Sequence, residues 1–134
     1  MKMARLFLFI TFFLNIYFAF GQTQLEINTE ANMEFYKADS ELNVIYNKIL
    51  VEYKTDTAFI KNLKLSQNIW IKFRDAEMKV KFPDRERGYY GSVQPMCWSL
   101  YKAQLTEDRI KSLKIWIDGT EEGDSCSGSV KMKK

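Results

Sequence analysis

The chain has 134 residues, and its 20 Lys and Arg side chains only slightly outnumber its 17 Asp and Glu side chains. It contains no His, which excludes a Ser-His-Asp triad, a Cys-His nucleophile pair and imidazole metal ligands. A net charge of +3 does not predict nucleic-acid binding. We therefore expect a binding protein rather than an enzyme, with no cofactor and no metal ion.

Residues 1–21 have the pattern of a signal peptide. Lys2 and Arg5 give a basic start, an almost wholly apolar run follows, and Ala19 and Gly21 occupy the −3 and −1 positions of a cleavage site. An uncleaved signal anchor is the alternative, but no charged stop-transfer segment follows the apolar run. We expect cleavage, a periplasmic or secreted product, and no stable membrane span in the mature chain.

The mature chain suits one small domain followed by a tail. The signal removes two of the 20 basic side chains, so the mature chain keeps 18 basic and 17 acidic side chains. We place a helical domain at residues 22–118 and a polar tail at residues 119–134. Cys97 and Cys126 are the two cysteines, and in an exported protein such a pair predicts a disulfide. This bridge would tether the tail and stabilise the fold by about 3–4 kcal/mol.

Two long helices are predicted in the first half of the mature chain. Apolar residues recur at steps of three and four through residues 35–53, which indicates an amphipathic helix that begins near residues 28–29. Asp56 or Thr57 can cap a second helix, which we expect to end near Lys81. A short linker between them predicts an antiparallel hairpin.

A third helical segment follows a polar, glycine-containing loop. We expect it to run over residues 93–103, to break near Thr106, and to continue to about residue 117. Thr106 has the character of an N-cap because Glu107 and Asp108 follow it and suit the positive end of a helix. The fold class is therefore all-α, a small bundle of a hairpin and a third, broken segment.

The register of the hairpin predicts a polar seam between its helices. With a turn near residues 55–56, Asp39 lies opposite the region of Ile71 to Arg74, and Asn43 lies opposite Gln67. We call these four residues the polar seam. We interpret Arg74 as the partner of Asp39 that sets the register within a mostly apolar interface. The alternative is an Arg74 that faces a ligand.

Four stretches of the sequence carry a resemblance to a known family. They are YKADSELNVIY (residues 36–46), LKLSQNIWIKFRDAEM (63–78), GSVQPM (91–96) and LTEDRIKSLK (105–114). In this order and spacing they resemble the LprI-type lysozyme-inhibitor domain over roughly residues 28–117. Many members of that family carry a cysteine pair that this chain lacks, and Met78 stands at one of its two positions.

The resemblance implies an exported, non-enzymatic, all-helical domain, some of whose relatives inhibit lysozymes. Our leading hypothesis is a protein-binding module of the cell envelope whose partner is a lysozyme. One alternative is a structural domain that binds another envelope protein or peptidoglycan, and a more remote one is a carboxylate-dependent hydrolase. The candidate binding residues are Trp70, Arg74, Asp75, Tyr89, Tyr90 and Arg109.

Two polar segments offer contact surfaces of different character. Tyr89 and Tyr90 lie on the loop before the third helical segment, where they can give a partner a large rigid contact area or fold as a lid over the helix ends. Lysozymes are usually basic, so the acidic part of the tail, residues 118–124, suits such a partner by charge. A solvated extension is the alternative for the tail.

Overall fold

The computed structural model describes residues 23–133 and consists of three α-helices. They are α1 (Gln24–Glu52), α2 (Thr57–Lys81) and α3 (Gln94–Asp118). The described part of the chain has no β-strand, only an isolated bridge between Thr120 and Met132. The predicted all-α class is therefore confirmed. The predicted signal peptide lies outside the described residues.

Helix α1 begins earlier than predicted because a capping box precedes the apolar pattern. Thr23 Oγ1 accepts a hydrogen bond from the backbone N–H of Glu26 (3.3 Å), and the Glu26 carboxylate accepts one from the backbone N–H of Thr23 (2.8 Å). The predicted caps, Asn28 and Thr29, lie inside the helix, where the Thr29 hydroxyl donates to the Leu25 carbonyl (2.7 Å). The predicted start was wrong by about one turn.

Helix α2 has the bounds that its sequence predicts. Asp56 Oδ1 accepts a hydrogen bond from the backbone N–H of Phe59 (2.9 Å) and so caps the first turn. The helix ends at Lys81, two residues before Pro83, which cannot continue it cleanly. The turn between α1 and α2 is short, so the two helices run antiparallel.

Helix α3 is continuous, and the break predicted at Thr106 is wrong. Thr106 is fully buried, and its hydroxyl donates to the carbonyl of Lys102 one turn earlier (2.8 Å). A threonine hydroxyl that is satisfied within the helix in this way does not need a cap position. The helix ends at Asp118 and is capped by Gly119, whose φ is 74° and where a Cβ atom would lie 2.8 Å from the backbone oxygen of Lys131.

The hydrophobic core lies mainly between α1 and α3, which are the closest pair of helices. Its buried side chains are Leu42, Ile45, Ile49, Tyr53, Leu63, Ile110 and Leu113. Helix α2 contributes Leu63 to this cluster, and its other buried residues are Gln67 and Met78. Since α2 has little close backbone contact with its neighbours, side chains that extend from all three helices hold it in place.

The C-terminal tail folds back onto the ends of α1 and α3. The Tyr53 hydroxyl donates to the carbonyl of Trp116 (3.3 Å) and accepts from the backbone N–H of Lys131 (3.2 Å). The Lys131 ammonium donates to the Glu52 carbonyl (2.6 Å), and the Trp116 indole N–H donates to Ser129 Oγ (3.1 Å). Hydrogen bonds to Tyr53 and Trp116 therefore attach the tail to the domain.

The predicted disulfide is absent, because Cys97 lies at the start of α3 and Cys126 lies in the tail beyond the other end of that helix. Cys97 and Cys126 are both free thiols. Cys97 lies in the first turn of α3, whereas Cys126 precedes Ser129, which bonds to Trp116 in the last turns. Cys97 and Trp116 are roughly 28 Å apart along the helix axis at 1.5 Å per residue. A disulfide needs Cα atoms within about 7 Å, so the predicted bridge was wrong.

We predict that the native protein has two reactive thiols and that Cys126→Ser leaves its stability unchanged. Loss of a disulfide would cost about 3–4 kcal/mol, whereas an exposed Cys126 contributes no cross-link. Thiol alkylation followed by mass spectrometry measures the first point, and chemical denaturation measures the second. A mass two hydrogens below that of the dithiol, together with a destabilised Cys126→Ser variant, would show that the two ends are bridged.

Candidate functional site

The most prominent polar arrangement is a tryptophan whose ring contacts two arginines. The guanidinium carbon of Arg74 lies 5.2 Å from the centroid of the Trp70 ring, and that of Arg109 lies 5.9 Å from it. Arg74 comes from α2 itself and Arg109 comes from α3, so the indole links the two helices. We call these three residues the Trp70 stack. Cations over an indole face are attracted by the ring quadrupole, at about 0.5–2 kcal/mol each.

Arg74 points into the protein and is neutralised there. Its side chain is only 11% exposed; its Nη1 lies 3.7 Å from Asp39 Oδ1, and its Nε donates to Asp75 Oδ1 (3.2 Å). Asp39 also accepts hydrogen bonds from the Asn43 amide, at its backbone oxygen (2.9 Å) and at its carboxylate (3.3 Å). Arg74 and Asp39 therefore link α1 to α2, with little of the guanidinium left for a partner.

Arg109 is held by neutral groups and has no carboxylate partner among the described residues. Its Nε donates to Gln67 Oε1 (3.0 Å), and its Nη2 donates to Ser66 Oγ (3.1 Å). Burial lowers the pKa of Arg109, and the nearby Tyr46 opposes that shift. Gln67 thus pairs with α3, and not with Asn43 as the polar seam predicted. The structure divides the seam into an Asp39–Asn43–Arg74 group and a Gln67–Arg109 group.

A cleft opens beside Arg109, between the start of α2 and the end of α3. Its volume is about 410 Å³. Its lining residues are Asp56, Ala58, Phe59, Asn62, Leu63, Ser66, Arg109, Leu113, Trp116 and Ser129. We call it the Arg109 cleft. Arg109 is the cationic side chain in this lining and Asp56 is the acidic one, and the Asp56 carboxylate already caps α2.

A second cation, Lys102 of α3, lies near two aromatic rings about two helical turns before Arg109, and sequence analysis missed it. The Lys102 ammonium lies 4.4 Å from the Phe35 ring centroid and 4.9 Å from the Trp98 ring centroid. Burial lowers the pKa of Lys102, as does the positive charge of Arg74, while Asp75 and Asp39 oppose the shift. The four-residue spacing of Trp98 and Lys102 on one helix was the available signal.

The loop before α3 separates the two candidate tyrosines. Tyr90 is half-buried: its hydroxyl donates to the Pro83 carbonyl (2.8 Å), and its ring meets Phe82 edge to face at 5.8 Å. Tyr89 is 68% exposed and packs against Tyr90 (4.9 Å) and under the guanidinium of Arg85 (5.7 Å). Tyr90 therefore anchors the loop, and Tyr89 is the tyrosine that a partner can reach.

Two acidic side chains of the tail, Glu121 and Asp124, make contacts within the tail itself. The Glu121 carboxylate pairs with Lys133, which lowers the pKa of Glu121. Asp124 accepts hydrogen bonds from the backbone of Cys126 (2.9 Å) and from the Thr120 hydroxyl (2.8 Å), and both lower its pKa. These contacts stabilise the carboxylates as anions, and they fix the tail as a compact turn.

Within residues 23–133 no three potential ligands among Cys, Asp and Glu lie close enough to hold a metal ion. In the same range no helix is both long enough and apolar enough to cross a membrane.

We expect Arg74→Ala and Asp39→Ala each to lower the free energy of unfolding. Removing Arg74 also removes the contact with Trp70, so Arg74→Ala should lower the free energy of unfolding more than Asp39→Ala does. We expect a decrease of roughly 1–3 kcal/mol, because solvent screens the partly exposed Asp39. Because the two side chains meet, the double mutant should lose less than the sum of the single losses. Chemical denaturation of the four proteins measures this coupling.

The control for that cycle is Lys72→Ala, which removes an exposed cation of α2 that has no partner in the described structure. We expect its effect to stay within about 0.5 kcal/mol and to add to that of Asp39→Ala. Additive losses for Arg74 and Asp39 as well would show that the ion pair does not act as a unit.

Comparison with known proteins agrees with the resemblance. The family model described as lysozyme inhibitor LprI matches residues 19–113, which include the Trp70 stack. An uncharacterized protein of Rhizobium meliloti (strain 1021) is 29% identical over 110 residues, which cover 74% of this chain and 77% of that protein. No solved structure matches. The chain belongs to the LprI lysozyme-inhibitor family.

Proposed function

We propose that this protein is exported and inhibits a lysozyme by binding to it, without catalysing a reaction of its own. The observation that carries the proposal is the family match, which spans most of the helical domain. The interior geometry agrees with a binding role, because the Trp70 stack holds the three helices as one scaffold. Such a scaffold can present an exposed helix face to a protein partner.

A glycosidase is a weaker reading of the same residues. Glycoside hydrolysis needs two carboxyl groups about 5–9.5 Å apart on either side of the bond that is cleaved. The Arg109 cleft is lined by one carboxylate, Asp56, and that group caps α2. The carboxylates nearest to the Trp70 stack, Asp39 and Asp75, are ion-paired to Arg74, which favours a structural role for them.

The outward face of α1 is the best candidate for the lysozyme contact. Helix α1 carries six acidic and two basic side chains. Met33, Tyr36, Val44 and Val51 are each more than half exposed, and their helical spacing places them on one stripe opposite the core. An apolar stripe bordered by carboxylates such as Glu34 suits a basic partner, which it would attract before contact.

The outward face of α2 suits such a partner less well. It also exposes apolar residues, among them Leu65, Ile69 and Phe73, but α2 carries six basic and two acidic side chains. A basic lysozyme would be repelled by this helix, and like-charge contacts act against wrong partners at interfaces. Charge therefore favours α1 over α2 for this partner.

The loop gives a second candidate function, which is binding to peptidoglycan or to another envelope protein. Its observation is the exposed Tyr89 ring with Arg85 beside it. An aromatic ring next to a cation can contact a sugar face and an anionic group together. On this reading the loop makes the main contact, and α1 is a solvated face.

We expect the purified protein to inhibit wall lysis by a basic lysozyme at near-stoichiometric concentration and to lyse no wall by itself. Glu34→Lys should slow association with the lysozyme by roughly three- to tenfold at low ionic strength, because it reverses a charge on the binding face. Glu122→Lys changes the net charge equally but lies in the tail, so it serves as the matched control. Turbidity assays and surface plasmon resonance measure both effects.

The loop variant Tyr89→Ala separates the two candidate functions. If α1 is the contact, Tyr89→Ala inhibits like the wild type. If Tyr89→Ala abolishes inhibition or binding to purified peptidoglycan while Glu34→Lys has no effect, the α1 surface is the wrong one. Wall lysis by the protein alone would instead contradict the non-enzymatic role.

A further inference from the structure

We infer that the Arg109 cleft binds a single carboxylate carried on an apolar body. Two sources share this chemistry, a peptide that ends in a hydrophobic residue and a fatty acid. The inference concerns a different surface from the α1 face and does not depend on lysozyme binding. It follows from the unpaired charge of Arg109, from the walls of the cleft and from the distribution of charge in its lining.

The guanidinium of Arg109 has donors and charge that the protein leaves unused. Arginine has five N–H donors, and two of its nitrogens donate here, to Gln67 and to Ser66. No carboxylate lies within ion-pair distance of it in the described structure, whereas Arg74 has two. A half-buried cation without a counter-charge is costly, and a ligand carboxylate would supply both the charge and two acceptors.

The walls of the cleft favour an apolar body next to that carboxylate. The rings of Phe59 and Trp116 lie 6.0 Å apart, centroid to centroid, on one side. Leu63 and Leu113 belong to the lining and are almost fully buried, so they form its floor. A volume of about 410 Å³ lies within the range of small-molecule sites. One aromatic or branched aliphatic side chain would fit between these groups.

The tail completes one side of the cleft. The Trp116 indole N–H donates to Ser129 Oγ (3.1 Å), and Ser129 belongs to the lining. The tail is fixed at the same end of the bundle by Lys131, whose backbone N–H donates to the Tyr53 hydroxyl. The position of the Trp116 ring is therefore determined from two sides, which makes its indole signal a sensitive report of anything that enters.

The charges of the lining favour a ligand with one negative charge over a ligand with several. Arg109 is the one cation in the lining and Asp56 is the one acid in it. A phosphate monoester or a polyanion would bring more negative charge than Arg109 balances, and Asp56 would repel it. A neutral sugar would leave the charge of Arg109 without a counter-charge. A monocarboxylate with an apolar group matches both features.

The test compares a carboxylate with its amide. The two probes are N-acetyl-L-phenylalanine and its primary amide, and the readout is the Trp116 indole N–H in ¹⁵N-resolved NMR titrations of the full mature chain. We expect the acid to bind at least about tenfold more tightly than the amide, because only the acid pairs with Arg109. Octanoate and octanamide form a second pair, and the acid that binds more tightly identifies the source.

Variants locate the effect. Arg109→Gln should reduce the preference for the acid to about one, whereas Lys111→Gln, which removes an exposed cation of α3 outside the cleft, should preserve it. Ala58→Trp introduces a large ring into the lining of the cleft while leaving Arg109 itself unchanged, and it should abolish the binding of both probes. If Arg109→Gln fails to fold, the wild-type comparison and Ala58→Trp decide the question.

Equal affinity for acid and amide in the wild type would overturn the inference, as would the absence of any Trp116 shift with all four probes at millimolar concentration. Retention of the preference in Arg109→Gln would also overturn it. None of these results bears on lysozyme inhibition, and a failure of the lysozyme assay would leave the acid–amide comparison intact.

Discussion

The position of α2 depends on the Trp70 stack. Helices α1 and α3 pack closely, but α2 approaches them mainly through extended side chains. Trp70 receives one guanidinium from its own helix and one from α3, and Arg74 continues to Asp39 on α1. A shift of α2 by one turn would separate all of these contacts at once, so the stack fixes the register of the bundle.

The two arginines of the stack differ in how their charge is compensated. Arg74 is nearly buried and lies between two carboxylates, so it acts within the scaffold. Arg109 has neutral partners and borders the Arg109 cleft, so its charge faces a space that a ligand can enter. Burial of a cation costs free energy unless it is paired. One aromatic residue thus holds both a structural cation and a cation suited to recognition.

Local signals in the sequence predicted α2 well. Its cap, Asp56, and its end near Lys81 follow from side-chain chemistry within a few residues. The same logic failed at Thr106, because that residue is fully buried and only tertiary packing reveals that. The start of α1 was missed because its first turns are mostly exposed and polar. A search for apolar residues at helical spacing therefore does not detect them.

Features that depend on the path of the tail could not be predicted. The number of cysteines and the predicted export favoured a disulfide, but Tyr53 and Trp116 hold the tail at the far end of α3 from Cys97. The Arg109 cleft combines Phe59, Trp116 and Ser129, which lie far apart in sequence. Residue spacing within one helix carries no information about contacts between residues that are distant in sequence. The contact between Asp39 and Arg74 could be predicted from the sequence, because a short turn limits the possible registers of α1 against α2.

The most direct measurement of the role of the stack is the free energy of unfolding of Trp70→Leu, with Trp98→Leu as the matched control. Both remove an indole from a helix, but Trp98 is 37% exposed and its ring contacts Lys102 of its own helix. If the stack holds α2, the free energy of unfolding of Trp70→Leu should fall by about 1–3 kcal/mol, clearly more than that of Trp98→Leu. An unchanged stability of Trp70→Leu together with lost lysozyme binding would show that Trp70 serves recognition and that another contact fixes α2.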